Sequence, residues 1–237
     1  MPRMGTVHKE KYKTFKDVFD NFTERNLFKL QSQGFFDELG SPVSIGKEAN
    51  VFTVVCGDET RVLKIYRLQT CDFNKMYEFI RRDPRYVAIK RKRREVIFAW
   101  AQREYRNLLK AREGGVRVPT PITVLYNILV LEFIGDSNGA APRLKDKKPL
   151  NPERFFLDLR EEVRKLYLAG LVHGDLSGFN VLNHDERPVL IDFSQATPVD
   201  SRIAEEYLLR DARNVCKLFC KWGVECDKDE FVEYVRS

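Results

Sequence analysis

The chain has 237 residues, enough for one medium domain or two small lobes sharing a cleft, and its 43% hydrophobic and 12% aromatic content excludes global disorder. Its net charge is +6 with a pI near 9.0, the start at residues 1–13 is polar and basic and predicts no signal peptide, and the longest apolar stretch, residues 128–134 interrupted by Glu132, is too short to span a bilayer. The five cysteines (Cys56, Cys71, Cys216, Cys220 and Cys226) form no C-x-x-C pair, which predicts reduced thiols and a cytoplasmic protein.

In chain order, residues 14–39 carry an apolar stripe (Phe15, Val18, Phe19, Phe22, then Leu27, Leu30 and Phe35) that predicts a helix stopped by Ser41 and Pro42. The run S-I-G-K-E-A-N-V-F at 44–52 precedes strands predicted over 51–56 and 61–66. In the second strand Leu63 and Ile65 share one face and Lys64 takes the other, so a lysine enters a short buried strand and needs an anionic partner. Residues 81–94 hold eight basic side chains and one acidic, which reads either as a solvated loop or as a phosphate or RNA contact. A helix is predicted over 95–112, ended by Gly114 and Gly115, with Ile97, Trp100, Ala101, Leu108 and Ala111 on its inner face. Glu104 is the one charge on that face, which makes it the expected partner of Lys64.

A second hairpin is predicted at 122–125 and 128–133, a linker over 135–152, and a helix over 153–169 with Phe156, Leu159, Val163 and Leu166 inward. Two short β pieces joined by 183–188 follow, then a helix over 201–222 and a polar tail. The expected layout is α+β and bilobal: a helical extension over 1–40, a β-rich N-lobe with one main helix over 41–134, and a reduced, mostly helical C-lobe over 135–237.

The strongest chemical signal is H-G-D-L-S-G-F-N at 173–180, followed by I-D-F-S at 191–194. A hairpin between them folds Asp192 back beside Asp175 and Asn180. Oxygen-only ligands of this kind suit a hard ion such as Mg²⁺. Asn180 and Asp192 are the expected metal ligands. Asp175 is left to orient an attacking hydroxyl and accept its proton, the arrangement that γ-phosphoryl transfer needs.

These motifs resemble the catalytic and metal-binding loops of the protein-kinase superfamily, with Gly174 in place of the usual arginine and Ser194 in place of the usual glycine. Taken with the 44–52 run, L-K-I-Y-R at 63–67 and I-D-F-S-Q at 191–195, the chain closely resembles the RIO-type atypical serine/threonine protein kinases, in their type-one branch, over roughly residues 41–222. Only about 40 residues precede the nucleotide loop, too few for the winged helix of the type-two branch.

The resemblance implies that ATP is bound with Mg²⁺, or Mn²⁺ as an alternative ion. It implies that Ser44, Lys47, Glu48 and Asn50 cover the phosphates, that Lys64 held by Glu104 reaches the α- and β-phosphates, and that backbone groups of Glu132 and Ile134 receive adenine. It also implies that Asp192 can accept phosphate, and that the protein acts as a serine kinase or ATPase on small-ribosomal-subunit precursors, with the basic segment as an rRNA contact. Only 45 residues follow Asp192, too few for the peptide-docking subdomain of ordinary protein kinases. Type-one relatives can carry a phosphorylated serine in the loop after the lysine, yet no Ser or Thr occurs between Thr70 and Thr120, so autophosphorylation is expected elsewhere or not at all. The alternatives are an RNA- or ribosome-binding assembly factor that uses ATP as a switch, the KEOPS-complex kinase, and a small-molecule phosphotransferase.

Overall fold

The computed structural model describes residues 19–86 and 88–237. Helix α1 (Asn21–Ser32) is N-capped by Asp20, whose carboxylate accepts the Phe22 and Thr23 amides at 3.0 Å. Strands β1 (Glu38–Ile45), β2 (Ala49–Cys56), β3 (Glu59–Tyr66), β4 (Pro121–Leu125) and β5 (Ile128–Glu132) form one antiparallel sheet in the order β1-β2-β3-β5-β4.

The first helix is shorter than expected. Phe15 and Val18 lie outside the described residues, the helix stops at Ser32, and the chain is already a strand at Glu38. Pro42 therefore sits within β1 instead of terminating a helix. It is tolerated because β1 is an edge strand, and the pairing with β2 shifts register on both sides of it.

The sheet has two faces. Phe52, Val54, Leu63, Ile65, Ile128 and Val130 pack with Phe19, Leu27, Leu30 and Phe36 of the α1 side. Lys64 takes the other face, where Leu129 and Leu131 join the larger core of the second lobe. Between β3 and β4 the basic segment is not one solvated loop. Helix α2 (Phe73–Arg81) runs into it, a 3₁₀ turn (Pro84–Tyr86) follows, and the main helix α3 (Arg93–Glu113) starts inside it.

After a two-residue hairpin, β6 (Gly135–Asp136) and β7 (Gly139–Ala140), the second lobe comprises α4 (Pro152–Leu168), β8 (Leu171–Val172), a β9 (Val181–His184) and β10 (Arg187–Leu190) hairpin, β11 (Thr197–Pro198), α5 (Ala204–Cys220) and α6 (Lys228–Arg236). The expected polar tail is this last helix. Asp227 caps it, and Phe231, Val232 and Val235 enter the core against Phe156 and Phe219. Burying each is worth about 2 kcal/mol. The expectation of reduced thiols fails for one pair, because Cys216 and Cys226 form a disulfide that links α5 to the approach to α6, while Cys56, Cys71 and Cys220 are free. Among the described residues no helix is long and apolar enough to cross a membrane.

Candidate active site

Lys64 crosses from the sheet to the second lobe. Its Nζ lies 2.8 Å from Glu104 Oε1 and 3.0 Å from Asp192 Oδ1, and the Tyr66 hydroxyl donates to the other Glu104 oxygen. Glu104 is 1% exposed and Lys64 12%. Burial alone would lower the Lys64 pKa, but the Asp192 and Glu104 carboxylates hold it above the ordinary lysine value. Burial would likewise raise Asp192, but the Lys64 charge and the Ser194 hydroxyl, 2.8 Å away, bring it down to about 2. Glu104 is pushed up by burial, with Lys64 opposing.

The β9–β10 hairpin does what the spacing requires. Val181 pairs with Leu190, and the Ile191 amide donates to the Asn180 carbonyl at 3.0 Å, so Asp192 emerges beside Asn180. Asn180 Nδ2 donates to the Asp175 carbonyl at 2.8 Å and to its Oδ2 at 3.3 Å, and Gln195 Nε2 donates to the same Oδ2 at 3.1 Å. Burial, and then the Asp192 charge, raise the Asp175 pKa. Asp192 has φ +61°, a left-handed conformation that few residue types other than glycine, asparagine and aspartate adopt readily.

The loop carrying Asp175 is anchored from α5. Asp211, 1% exposed, accepts the Gly174 amide at 2.7 Å and the Leu176 amide at 2.8 Å, and Arg210 donates to the Gly174 carbonyl. Burial lifts Asp211 to about 7 against those two amide donors. Sequence reading passed over Asp211, although a charge between the inward residues Leu208, Ala212 and Val215 is the same signal that identified Glu104. Gly174 has φ +77°, and a Cβ there would lie 2.9 Å from the Tyr207 ring and 3.1 Å from the Gln195 carbonyl, which is why no arginine stands here. Gly174→Ala should therefore lower stability by about 2 kcal/mol, read as a lower urea midpoint at unchanged slope.

His173 is 1% exposed, with Nε2 3.1 Å from the Ile191 carbonyl and Nδ1 3.3 Å from the Asp175 amide. That pattern assigns the Nε2–H tautomer of a neutral ring. Burial lowers its pKa from 6.5 to about 4. In that window the unfolded chain binds the extra proton, so this group's contribution to stability falls as pH drops from 6.5 to 4. Asp211 acts in the opposite sense between 3.8 and about 7, where the folded state is the better proton binder. The His173 effect is thus isolated by difference. Relative to His173→Gln, the wild type should lose on the order of 3 kcal/mol between pH 6.5 and pH 4, measured by urea midpoints.

The predicted phosphate-loop residues separate. Ser44 pairs with Val51, which pairs with Lys64, so Ser44 is on the Lys64 face of the sheet. Lys47 and Glu48 form the β1–β2 turn. The Lys47 carbonyl accepts Thr70 Oγ1 at 3.4 Å, the Glu48 carbonyl accepts the Arg67 amide at 2.9 Å, and Glu48 Oε1 is 3.7 Å from Lys75 Nζ. Asn50 pairs with Ile65, which turns its side chain to the opposite face, where it is 2% exposed and its Oδ1 has no partner among the described residues. The structure thus does not bring Asn50 to the Lys64 cluster. At the end of β5, the Glu132 amide donates to the Thr120 carbonyl and the Ile134 carbonyl accepts the Ala141 amide, both at 2.9 Å, while the Glu132 carboxylate is held by Thr120.

The donor set fits a hard divalent ion. Asp192 offers a carboxylate that stays ionised and is 38% exposed, and Asn180 has its Nδ2 committed to Asp175, which leaves Oδ1 as its free ligand atom.

A family model described as the RIO domain matches residues 50–231. The chain is 42% identical over 234 residues to the RIO-type serine/threonine-protein kinase Rio1 of Haloferax volcanii, covering 98% of this chain and 81% of that protein. It is 40% identical to Rio1 of Methanocaldococcus jannaschii, covering 95% and 78%. The solved Rio2 kinase–ADP/Mg²⁺–phosphoaspartate complex from Chaetomium thermophilum has the same fold, at a TM-score of 0.68 and 23% identity, with 88% of this chain matching 64% of that one. The Lys64-to-Asp192 geometry sits inside the matched region, and the chain belongs to the RIO family, in its type-one branch.

Proposed function

We propose that this chain is an ATP- and Mg²⁺-dependent protein serine kinase and ATPase that acts in the cytoplasm on small-ribosomal-subunit precursors. The observation that carries the reading is the Lys64 ammonium bridging Glu104 and Asp192. It places one fixed cation between the lobes, next to a carboxylate with a pKa near 2. Bound Mg²⁺ would neutralise charge on the β- and γ-phosphates, and the protein's part is alignment.

Lys64, released toward the nucleotide or shared with it, holds the α- and β-phosphates, and Ser44, Lys47 and Glu48 of the β1–β2 hairpin cover them. The Glu132 carbonyl and the Ile134 amide, at the end of β5, are the backbone groups for adenine. Asn180 Oδ1 and the Asp192 carboxylate would hold the ion. Asp175, whose pKa is raised, accepts the proton of the attacking serine hydroxyl or water as its oxygen bonds to the γ-phosphorus and ADP leaves. In a second route an Asp192 oxygen bonds to the γ-phosphorus, the bond to the ADP oxygen breaks, and water later frees the phosphate. The phosphoaspartate of the Rio2–ADP/Mg²⁺ complex supports that route by analogy.

Pure protein should release phosphate from ATP with Mg²⁺, and EDTA should reduce this to background. Label on protein in the absence of substrate should be hydroxylamine-sensitive. Turnover that persists in EDTA would contradict the metal role, and a hydroxylamine-resistant label as the only labelled species would contradict the aspartyl route. Lys90, Arg91, Lys92, Arg93 and Arg94 are exposed, and that cluster supports the rRNA contact. Affinity for small-subunit rRNA should fall steeply with salt and lose part of that slope when the cluster is neutralised.

A further inference from the structure

Part of the basic segment turns inward and bonds to the protein itself. The Asp83 side chain is fully buried and is gripped by Arg85, with Nε 2.9 Å from Oδ1 and Nη2 2.6 Å from Oδ2. Arg85 Nη1 also donates to Asn107 Oδ1 at 2.9 Å, and Asp83 Oδ2 lies 3.1 Å from Arg103 Nε. Arg103 and Asn107 flank Glu104 on α3 and are themselves buried. Both reach across to the backbone that follows Asp192. Arg103 Nη2 donates to the Ala196 carbonyl at 3.0 Å, and Asn107 Nδ2 donates to the Phe193 and Ala196 carbonyls at 2.9 and 2.8 Å.

Every polar atom of the Asn107 amide is used, its donors on the 193–196 backbone and its acceptor on Arg85, so its orientation is fixed. Burying Asp83, Arg103 and Asn107 together is costly, because Arg103 Nε and Nη1 make no hydrogen bond among the described residues, and simple packing would not need it. Asp192, in a left-handed conformation, does need its neighbours held, because such a residue relaxes when its surroundings loosen.

We infer that Asp83 and Arg85 of the basic segment are positioning residues for Asp192, acting through Arg103 and Asn107 to hold the 193–196 backbone and keep the carboxylate on Lys64 and open to the ion. The inference rests on the reading of this site as a Mg²⁺–nucleotide site, but its mechanical half does not.

Arg85→Ala tests it, with Arg85→Ala/Asp83→Asn as the companion that leaves no unpaired carboxylate. Hydrogen exchange of the nucleotide-free protein should speed up about tenfold or more across residues 190–198, with α4 and α6 unchanged. The factor by which Mg²⁺ tightens ADP binding, measured by calorimetry, should drop about tenfold or more, and Arg85→Lys should restore part of both effects. A lower melting temperature with unchanged exchange at 190–198 would overturn the inference. So would faster exchange with the Mg²⁺ factor intact. If the wild type shows no Mg²⁺ effect on ADP binding, the kinase reading fails, and the exchange result alone then decides whether the segment holds the backbone after Asp192.

Discussion

Asp192→Asn should lower ATP turnover by about a thousandfold or more while leaving the fold intact. Asparagine has the same shape and is among the residues that accept the left-handed φ of +61° found here. Its side-chain oxygen can still accept the Ser194 hydroxyl, and the Lys64–Glu104 bond at 2.8 Å does not depend on it. What is lost is the negative charge that stays ionised down to about pH 2, and with it both the ion's carboxylate ligand and the nucleophile of the aspartyl route. Asp192 is 38% exposed, so the stability change should be small. Steady-state phosphate release and a thermal melt separate the two effects. Turnover within tenfold of wild type would remove Asp192 from the chemistry.

Lys64→Met should be damaging in two ways that a second substitution pulls apart. It leaves Glu104, 1% exposed, with the Tyr66 hydroxyl as its remaining partner and no cation. Breaking a buried pair from one side costs about 3–5 kcal/mol because the surviving charge is stranded. Glu104 already has a raised pKa, and losing Lys64 raises it further, so the loss of stability should be larger at pH 8 than at pH 5, where the carboxyl can be protonated. Lys64→Met/Glu104→Gln removes the stranded charge and should recover most of the stability. It should not recover turnover, which stays about a hundredfold or more below wild type because no ammonium holds the phosphates. Recovery of both together would mean that Lys64 serves the fold alone.

The parts that could be read from the sequence are those in which chemistry conflicts with pattern. Lys64 stands in an apolar strand and Glu104 on an apolar helix face, and each conflict predicted the other residue 2.8 Å away. The spacing of Asp175, Asn180 and Asp192 predicted the hairpin that gathers them, because Val181 and Leu190 supply matching strand faces. Strand β1 escaped because Gly40, Ser41 and Pro42 look like a break, and only its position at the sheet edge lets them pair. Helix α6 escaped because charged residues surround Phe231, Val232 and Val235, and only the facing Phe156 and Phe219 give those three a core to enter. Arg103 and Asn107 are polar in a helix and look like surface positions. Their partners are backbone carbonyls distant in sequence, which no spacing rule encodes. The Cys216–Cys226 pairing depends on the return of the chain after α5 and is equally non-local.

A crystal structure of the protein grown with ADP and Mg²⁺ would decide whether Lys64, Asp175, Asn180 and Asp192 close around one nucleotide and one hard ion. The ion should be ligated by Asn180 Oδ1 and an Asp192 oxygen, with Lys64 Nζ on the phosphates and Glu104 still beside it. A nucleotide bound elsewhere, or an ion out of reach of both Asn180 and Asp192, would contradict this arrangement.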